Sequence, residues 1–299
     1  MRNNAIMRIV LFSLAILILL GIFASVMLGR AFMINVNESG IVDIVQNLFE
    51  LNEDDTPSPI GQIQRENVTA SIRNIDIEWV VGSITIEKSP DAIDISVQES
   101  SPADSKYELV CKQSGQTLKI KFCQDDFNWI GFGVNDLVRK DLVITVPENW
   151  TCDSLKIDTA SAKVEISDLT IQEFDFDGAS GECLIKNCDI GELDIDTASG
   201  NVSFSGTLDA LDFDAASADC TIEVTNIPRS IELDGMSGDL ELILPEDAGF
   251  ICKLDTMSGS FDSDFTFKVH GDTYVCGSGD CKINVSAMSG DVSILKNIR

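Results

Sequence analysis

Carboxylates that recur at a nearly constant interval are the residues of this chain best placed to do chemistry. Asp175, Asp194, Asp212 and Glu232 follow one another at steps of 19, 18 and 20 residues. If the chain stacks at that period they form an outward column between Lys156 and Lys253, with carboxylates about 4.8 Å apart. Such a column could hold a cation through oxygen ligands, or serve the acid and base chemistry of a polysaccharide-active β-helix enzyme. Like charges stacked this closely repel, so the column needs solvation, protonation or a cation, and a solvated face is the plainest solution. The Gly-Gly-x-Gly-x-Asp nonapeptide of calcium-binding repeats is absent. His270 is the single histidine and has no recognisable partner, and no HExxH, G-x-S-x-G or phosphate-loop pattern occurs. No enzyme and no cofactor is expected.

What must position these carboxylates is a repeat. Ser161, Ser180, Ser199, Ser217, Ser237, Ser258, Ser278 and Ser289 each follow a small residue or Met, at steps of 19, 19, 18, 20, 21, 20 and 11 residues. All but Ser161 and Ser217 precede Gly. A unit of this length cannot bury an apolar face alone and must stack on its neighbours.

Aligned on the Ser, the units form apolar columns. Six residues before it stand Leu155, Phe174, Leu193, Leu211, Ile231 and Cys252; four before it stand Ile157, Phe176, Ile195, Phe213, Leu233, Leu254 and Tyr274. Three after it come Val164, Cys183, Val202, Cys220, Leu240, Phe261, Cys281 and Val292, and five after it Ile166, Ile185, Phe204, Ile222, Leu242 and Ile283. Apolar and polar residues alternate with the strand period of two. The expected fold is all-β: a single-chain parallel β-solenoid, or β-helix, of about 20-residue coils, each reading strand, Ser-Gly turn, strand and a looser corner such as Asn187-Cys188 or Asn226-Ile227. Asp158, Asp177, Asp196, Asp214, Asp234 and Asp255, three residues before the Ser, are expected to accept backbone N–H bonds of the turn, with Gly supplying positive φ. Ala160, Ala179, Ala198 and Ala216 give way to Met236, Met257 and Met288 just before the Ser, read as an inward column in a widening interior or as fillers of an irregular gap.

Upstream, Ile75 to Ile86 matches the same columns with Val81 in the Ser place. Tyr107 to Cys111 and Thr117 to Phe122, joined through Ser114-Gly115, predict a hairpin, and Leu142 to Val146 a buried strand ending at Pro147. Phe127 to Phe132 is an irregular aromatic insertion.

Ile9 to Leu28 is an uninterrupted apolar stretch long enough to cross about 30 Å of hydrocarbon. Arg2 and Arg8 precede it and Arg30 alone follows, which places residues 1–8 in the cytoplasm as a short tail. An uncleaved signal-anchor over 9–28 competes with a cleaved signal peptide, whose apolar core is usually shorter. Residues 29–66 read as a juxtamembrane helix, capped by Ser39, and an acidic linker over Glu53 to Pro59; residues 67–299 form the extracytoplasmic repeat domain. A formal net charge of −28 excludes nucleic acid as a partner.

Nine cysteines in such a domain would ordinarily imply disulfides. Cys183 and Cys220, however, share a column two coils apart, near 9–10 Å and beyond the roughly 7 Å limit. Cys111 with Cys123, and Cys276 with Cys281, remain disulfide candidates. None has metal-site spacing.

Repeated Asp-x-x-Ser-Gly-Asp/Asn phrases after strands, with Val146-Pro147-Glu148 echoed by Leu244-Pro245-Glu246, resemble the bacterial putative-adhesin family with β-strand repeats, a domain of unknown function in membrane-anchored cell-surface proteins. The likeness runs from about Ser71 to the C-terminus. It implies a surface β-solenoid at the bacterial cell envelope, often on one membrane segment in Gram-positive bacteria, and brings no catalytic residues. Cys183, Cys220 and Cys281 depart from the aliphatic residues usual in their column.

Three functions follow as expectations. The first is a single-pass protein of the bacterial cell membrane with a non-catalytic binding or structural role, its partner a cell-wall or surface glycan or an envelope protein. The second is a sensory or regulatory ectodomain of an envelope-stress system, signalling through the span because residues 1–8 are too short for an effector. The third is the polysaccharide-active enzyme.

Overall fold

The computed structural model describes residues 72–100, 108–123 and 139–297. The tail, the span over 9–28, the juxtamembrane helix and the aromatic insertion lie outside these residues. Among the described residues no helix is long and apolar enough to cross a membrane.

The described chain is all-β, one 18-stranded open sheet. It opens with β1 (Asn74–Ser89), β2 (Ser96–Glu99), β3 (Val110–Ser114), β4 (Thr117–Lys121) and β5 (Lys140–Pro147). The middle is built from β6 (Cys152–Ser167), β7 (Thr170–Ser180), β8 (Cys183–Ser199), β9 (Val202–Ser217) and β10 (Cys220–Val224). The last third comprises β11 (Ser230–Ser237), β12 (Leu240–Pro245), β13 (Phe250–Thr256), β14 (Phe261–Ser263), β15 (Lys268–His270), β16 (Thr273–Cys276), β17 (Cys281–Ser289) and β18 (Val292–Asn297).

Strict alternation makes each repeat a rung with two limbs, one before the Ser and one after it. On the first limb Leu155, Phe174, Leu193, Leu211 and Ile231 pair in parallel register. On the second, Val164, Cys183, Val202, Cys220 and Leu240 do the same. All ten are buried in one apolar core shared by both limbs. Each fully buried aliphatic or aromatic side chain contributes about 1.5–3 kcal/mol. Val81 opposes Ser161, so β1 is a rung of the same kind.

The corner explains the Ser-Gly pair. Gly181, Gly200, Gly238, Gly259 and Gly290 all have φ between 119 and 126°. Each lies so close to the adjacent rung that a Cβ would sit within 2.3 Å of its carbonyl oxygen, as at Gly290 against Gly238. Ser180, Ser199 and Ser237 each donate Oγ–H to the carbonyl of Ala160, Ala179 and Ala216 one rung back, at 3.3–3.4 Å. Where Ala replaces Gly, at Ala162 and Ala218, the side chain is buried.

Stacking departs from chain order at both ends. β1 lies between β6 on one side and β4 with β5 on the other, so among the described residues the rung beyond β1 is formed by β4 and β5, which follow it in the chain. At the far end β17 and β18 insert between the rung of β11 and β12 and that of β13 and β14. The two skips begin at the same turn: Trp150 N–H donates to Pro147 O, and Ala248 N–H to Pro245 O, at 2.9 and 3.0 Å. Antiparallel strands flank the ends, β3 on β4, β2 on β5, and β16 on β13 with β15 beyond.

This order corrects several expectations. Ser278 is not a corner; the equivalent position in the last rung is Ser289, opposite Ser237. Ile283 therefore belongs to the first limb, beside Ile231 and Cys252, and Cys281 opposes Phe250. Tyr274 sits on antiparallel β16. Met236, Met257 and Met288 face outward, 54, 78 and 52% exposed. The residue two before the Ser (Thr159, Thr197, Ala215, Ala287) is the buried one, which by alternation turns the next outward.

Candidate functional site

The outer face of the first limb carries two parallel columns of carboxylates. In one, Lys156, Asp175, Asp194, Asp212 and Glu232 stand in register on successive rungs. In the other, Asp158, Asp177, Asp196, Asp214 and Asp234 do so. The inserted β17 puts Asn284, not Lys253, next to Glu232, and Lys253 lies one strand beyond. Asn284 Nδ2 reaches Glu232 Oε1 at 3.4 Å. The four carboxylates of the expected column are thus brought together as a line rather than a cluster. Among the described residues no three carboxylate, thiol or imidazole groups converge on a point where a metal ion could sit.

Lys156 interrupts the carboxylates, which continue on β1 as Asp76 beside Lys156 and Glu78 beside Asp158, paired with Lys119 and Lys121 of β4 at 3.0 and 2.8 Å. The Nζ of Lys156 lies 3.0 Å from Asp177, 3.1 Å from Asp158 and 3.8 Å from Asp175. Asp158 is nevertheless pushed up to about 6, because partial burial and the neighbouring Asp177 outweigh the attraction of Lys156. Next to the columns Arg229 bridges Glu192 and Asp209 at 3.3 and 3.4 Å. These pairs are exposed and each is worth about 1 kcal/mol or less.

The carboxylates that hold the turns are different ones. Asp219 accepts the N–H of Asp239, Asp239 that of Asp291, and Asp291 both N–H and Oγ–H of Ser260, at 2.8–2.9 Å. Asp219, Asp239, Asp291 and Ser260 each lie two residues after a corner serine, namely Ser217, Ser237, Ser289 and Ser258, so the ladder follows the stacked order and not the chain order. The bonds from Ser260 hold Asp291 below the usual carboxylate range. The Ser-Gly-Asp phrase carried this signal, whereas the Asp three residues before the Ser belong to the outer face.

Two further features escaped the sequence reading. Lys140 is wholly buried; its Nζ is 2.6 Å from Glu99, donates to Phe122 O, and lies over the Trp79 and Phe122 rings at 4.7 and 4.2 Å. Burial lowers its pKa against the opposing pull of Glu99. The second is a shallow open depression of about 370 Å³ where the rungs turn back, lined by Gln172, Asp189, Thr207, Asp209 and Asn226 among others. Here the Asn226 amide accepts from Leu208 N–H and donates to Leu208 O, both at 2.9 Å, in place of a missing strand.

All the cysteines except half-buried Cys111 are buried core residues. Cys183 and Cys220 stand either side of Val202. Cys276 and Cys281 flank Phe250 on opposite sides of β13, about 10 Å apart at two strand spacings, too far for the disulfide considered from sequence. Burial pushes Cys152, Cys183, Cys252 and Cys281 up to about 12, which leaves them without reactive thiolate. His270 lies exposed on β15 opposite Thr273.

Residues 72–295 match a family model, Toastrack DUF4097. The chain belongs to this family. Toastrack DUF4097 is a domain of unknown function, and solved structures carrying adhesin names are among those similar to this chain. A putative cell adhesion protein from Clostridium sporogenes is 14% identical, with 76% of this chain and 94% of that chain covered and a TM-score of 0.36. A putative adhesin from Bacteroides fragilis is 16% identical over 76 and 94%, with a TM-score of 0.38. A putative lipid binding protein from Parabacteroides distasonis is 14% identical over 76 and 92%, with a TM-score of 0.30. No curated relative matches the sequence. The Toastrack rungs of this chain align their polar residues in lines along the stack and direct every apolar column inward except that of the exposed methionines.

Proposed function

We propose that this Toastrack protein is a non-catalytic binding or structural component of the bacterial cell envelope: a β-solenoid held at the membrane by residues 9–28, with the first-limb outer face turned to its partner. One observation carries the reading. The chemistry-bearing residues of the outer face are spread in straight columns at strand spacing, a surface suited to an extended partner and not to a single reacting bond. The apolar stretch at 9–28 and the basic residues before it support the anchor and its orientation. An acidic face at this density favours a partner with cationic groups, such as an amino-bearing wall polymer or a basic envelope protein, over an anionic one.

The experiment is a pull-down of isolated cell-wall polymers and envelope proteins by the full-length chain in detergent micelles, repeated with Asp194→Asn/Asp212→Asn. Salt-sensitive retention of one envelope component that weakens at least fivefold in the double variant supports the reading. Retention of no envelope component, or turnover of a polysaccharide in the same mixture, overturns it.

A further inference from the structure

The described residues hold three methionines, and all three are exposed on one column of adjacent rungs. Gly235 and Ser237 oppose Ala287 and Ser289, which sets Met236 beside Met288. On the other side Met257 N–H donates to Ala287 O and Ser258 N–H to Met288 O, at 3.0 and 3.1 Å, which sets Met257 beside Met288. The same column on earlier rungs is Ala160, Ala179, Ala198 and Ala216. Thioethers appear only on the last three rungs, and Met288 stands between the other two because β17 is inserted out of chain order.

Methionine is ordinarily buried, so three exposed copies in line have no packing role to explain them. Backbones about 4.8 Å apart, with three rotatable bonds per side chain, allow the three sulfurs to converge on one point. Thioether sulfur is a soft donor that suits Cu(I) and not the hard cations calcium and magnesium, which take oxygen ligands. Asp234 and Asp255 flank the column on the outer face, on either side of Ser286, and supply a favourable field for a cation without competing as soft ligands.

We propose that Met236, Met288 and Met257 form a thioether site for a soft monovalent metal ion, Cu(I) or its surrogate Ag(I). Because a thioether is never protonated in water, binding here is independent of pH, unlike binding at thiols or imidazoles, whose donors must first lose a proton.

The test uses the full-length chain in detergent micelles with ¹³C-labelled methionine methyl groups, titrated with silver nitrate in chloride-free buffer at pH 5.5 and 7.5. Single Met→Leu variants at positions 236, 257 and 288 assign the three signals and separate them from those of Met1, Met7, Met27 and Met33. The expected result is that the three methyl signals shift together and saturate at one equivalent, with the same affinity at both pH values. Met288→Leu removes the central sulfur at nearly constant shape and is expected to weaken binding more than tenfold. Anaerobic competition for Cu(I) against a chromogenic chelator should rank the variants in the same order. The proposal is overturned if the three signals stay unmoved at one equivalent, if they titrate separately, or if Met288→Leu binds as tightly as the native chain. It is equally overturned if affinity falls tenfold or more from pH 7.5 to 5.5, which would assign the metal to thiols.

Discussion

Inserting the last rung between its two predecessors makes a prediction that a pair of engineered cysteines can decide. Glu232 and Asn284 are outward-facing and directly opposed on adjacent parallel strands, while Glu232 and Lys253 are two strands apart. The Cα separations implied are about 4.8 Å and about 9.6 Å, on either side of the roughly 7 Å limit for a disulfide. Glu232→Cys/Asn284→Cys should therefore oxidise in the folded chain and Glu232→Cys/Lys253→Cys should not. The bridge spans 52 positions. The chain-entropy relation gives about 4 kcal/mol for a loop of that length, less any strain in the folded state. For a domain of this size that amounts to a rise of roughly 10 °C in Tm, abolished by reductant. Core thiols such as Cys183 and Cys252, pushed up to about 12, should not compete for the bridge near neutral pH. Peptide mass mapping without reductant identifies the pair formed. Rungs stacked in chain order would make 232 and 253 neighbours instead, so a 232–253 bridge in the native fold would refute the inserted order.

Gly290→Ala should cost about 3 kcal/mol or more in urea unfolding, since it adds a Cβ 2.0 Å from Gly238 O at φ 126°. Gly115→Ala, at φ 63° with open space around it, should cost only about 1 kcal/mol, and equal costs would remove the close-approach argument. Asp158 has its folded pKa raised to about 6, so the folded chain holds that proton more tightly than the unfolded chain does. Its contribution to stability is therefore full below about pH 4 and is lost as pH rises through 6. With solvent screening the change is on the order of 1 kcal/mol, and Asp158→Asn should flatten that part of the pH profile of the urea midpoint. Thr159 Oγ1 is buried without a hydrogen-bond partner, so Thr159→Val should stabilise by about 1 kcal/mol in the same measurement. Asn226→Ala should lose about 2 kcal/mol, because both backbone groups of Leu208 forfeit their partner.

Much of the candidate surface was legible residue by residue. The line Asp175, Asp194, Asp212 and Glu232 followed from the period alone, because strict alternation of apolar and polar positions leaves little freedom over which side faces out. Its neighbour from Asp158 to Asp234 is visible too, but the spacing points to the turn, whereas a carboxylate three residues before a corner is still within the strand and shares the outer face. Lys140 was not legible, since nothing local marks a lysine whose partners Glu99, Phe122 and Trp79 come from three other segments.

The repeat by itself determined the all-β character, the parallel register, the Ser-Gly corners and the apolar columns, because each depends on contacts that every rung makes in the same way. Only the tertiary structure decided which rung lies beside which. Equivalent apolar columns will stack on one another in any order, so the pattern carries no information about the order of stacking. That choice falls to the ends, where the turns after Pro147 and Pro245 let the chain pass over one rung, already filled by β1 at one end and filled later by β17 and β18 at the other. The methionine column shows in the sequence as the residue before Ser237, Ser258 and Ser289, but only the stacking turns it outward and sets Met288 between the other two.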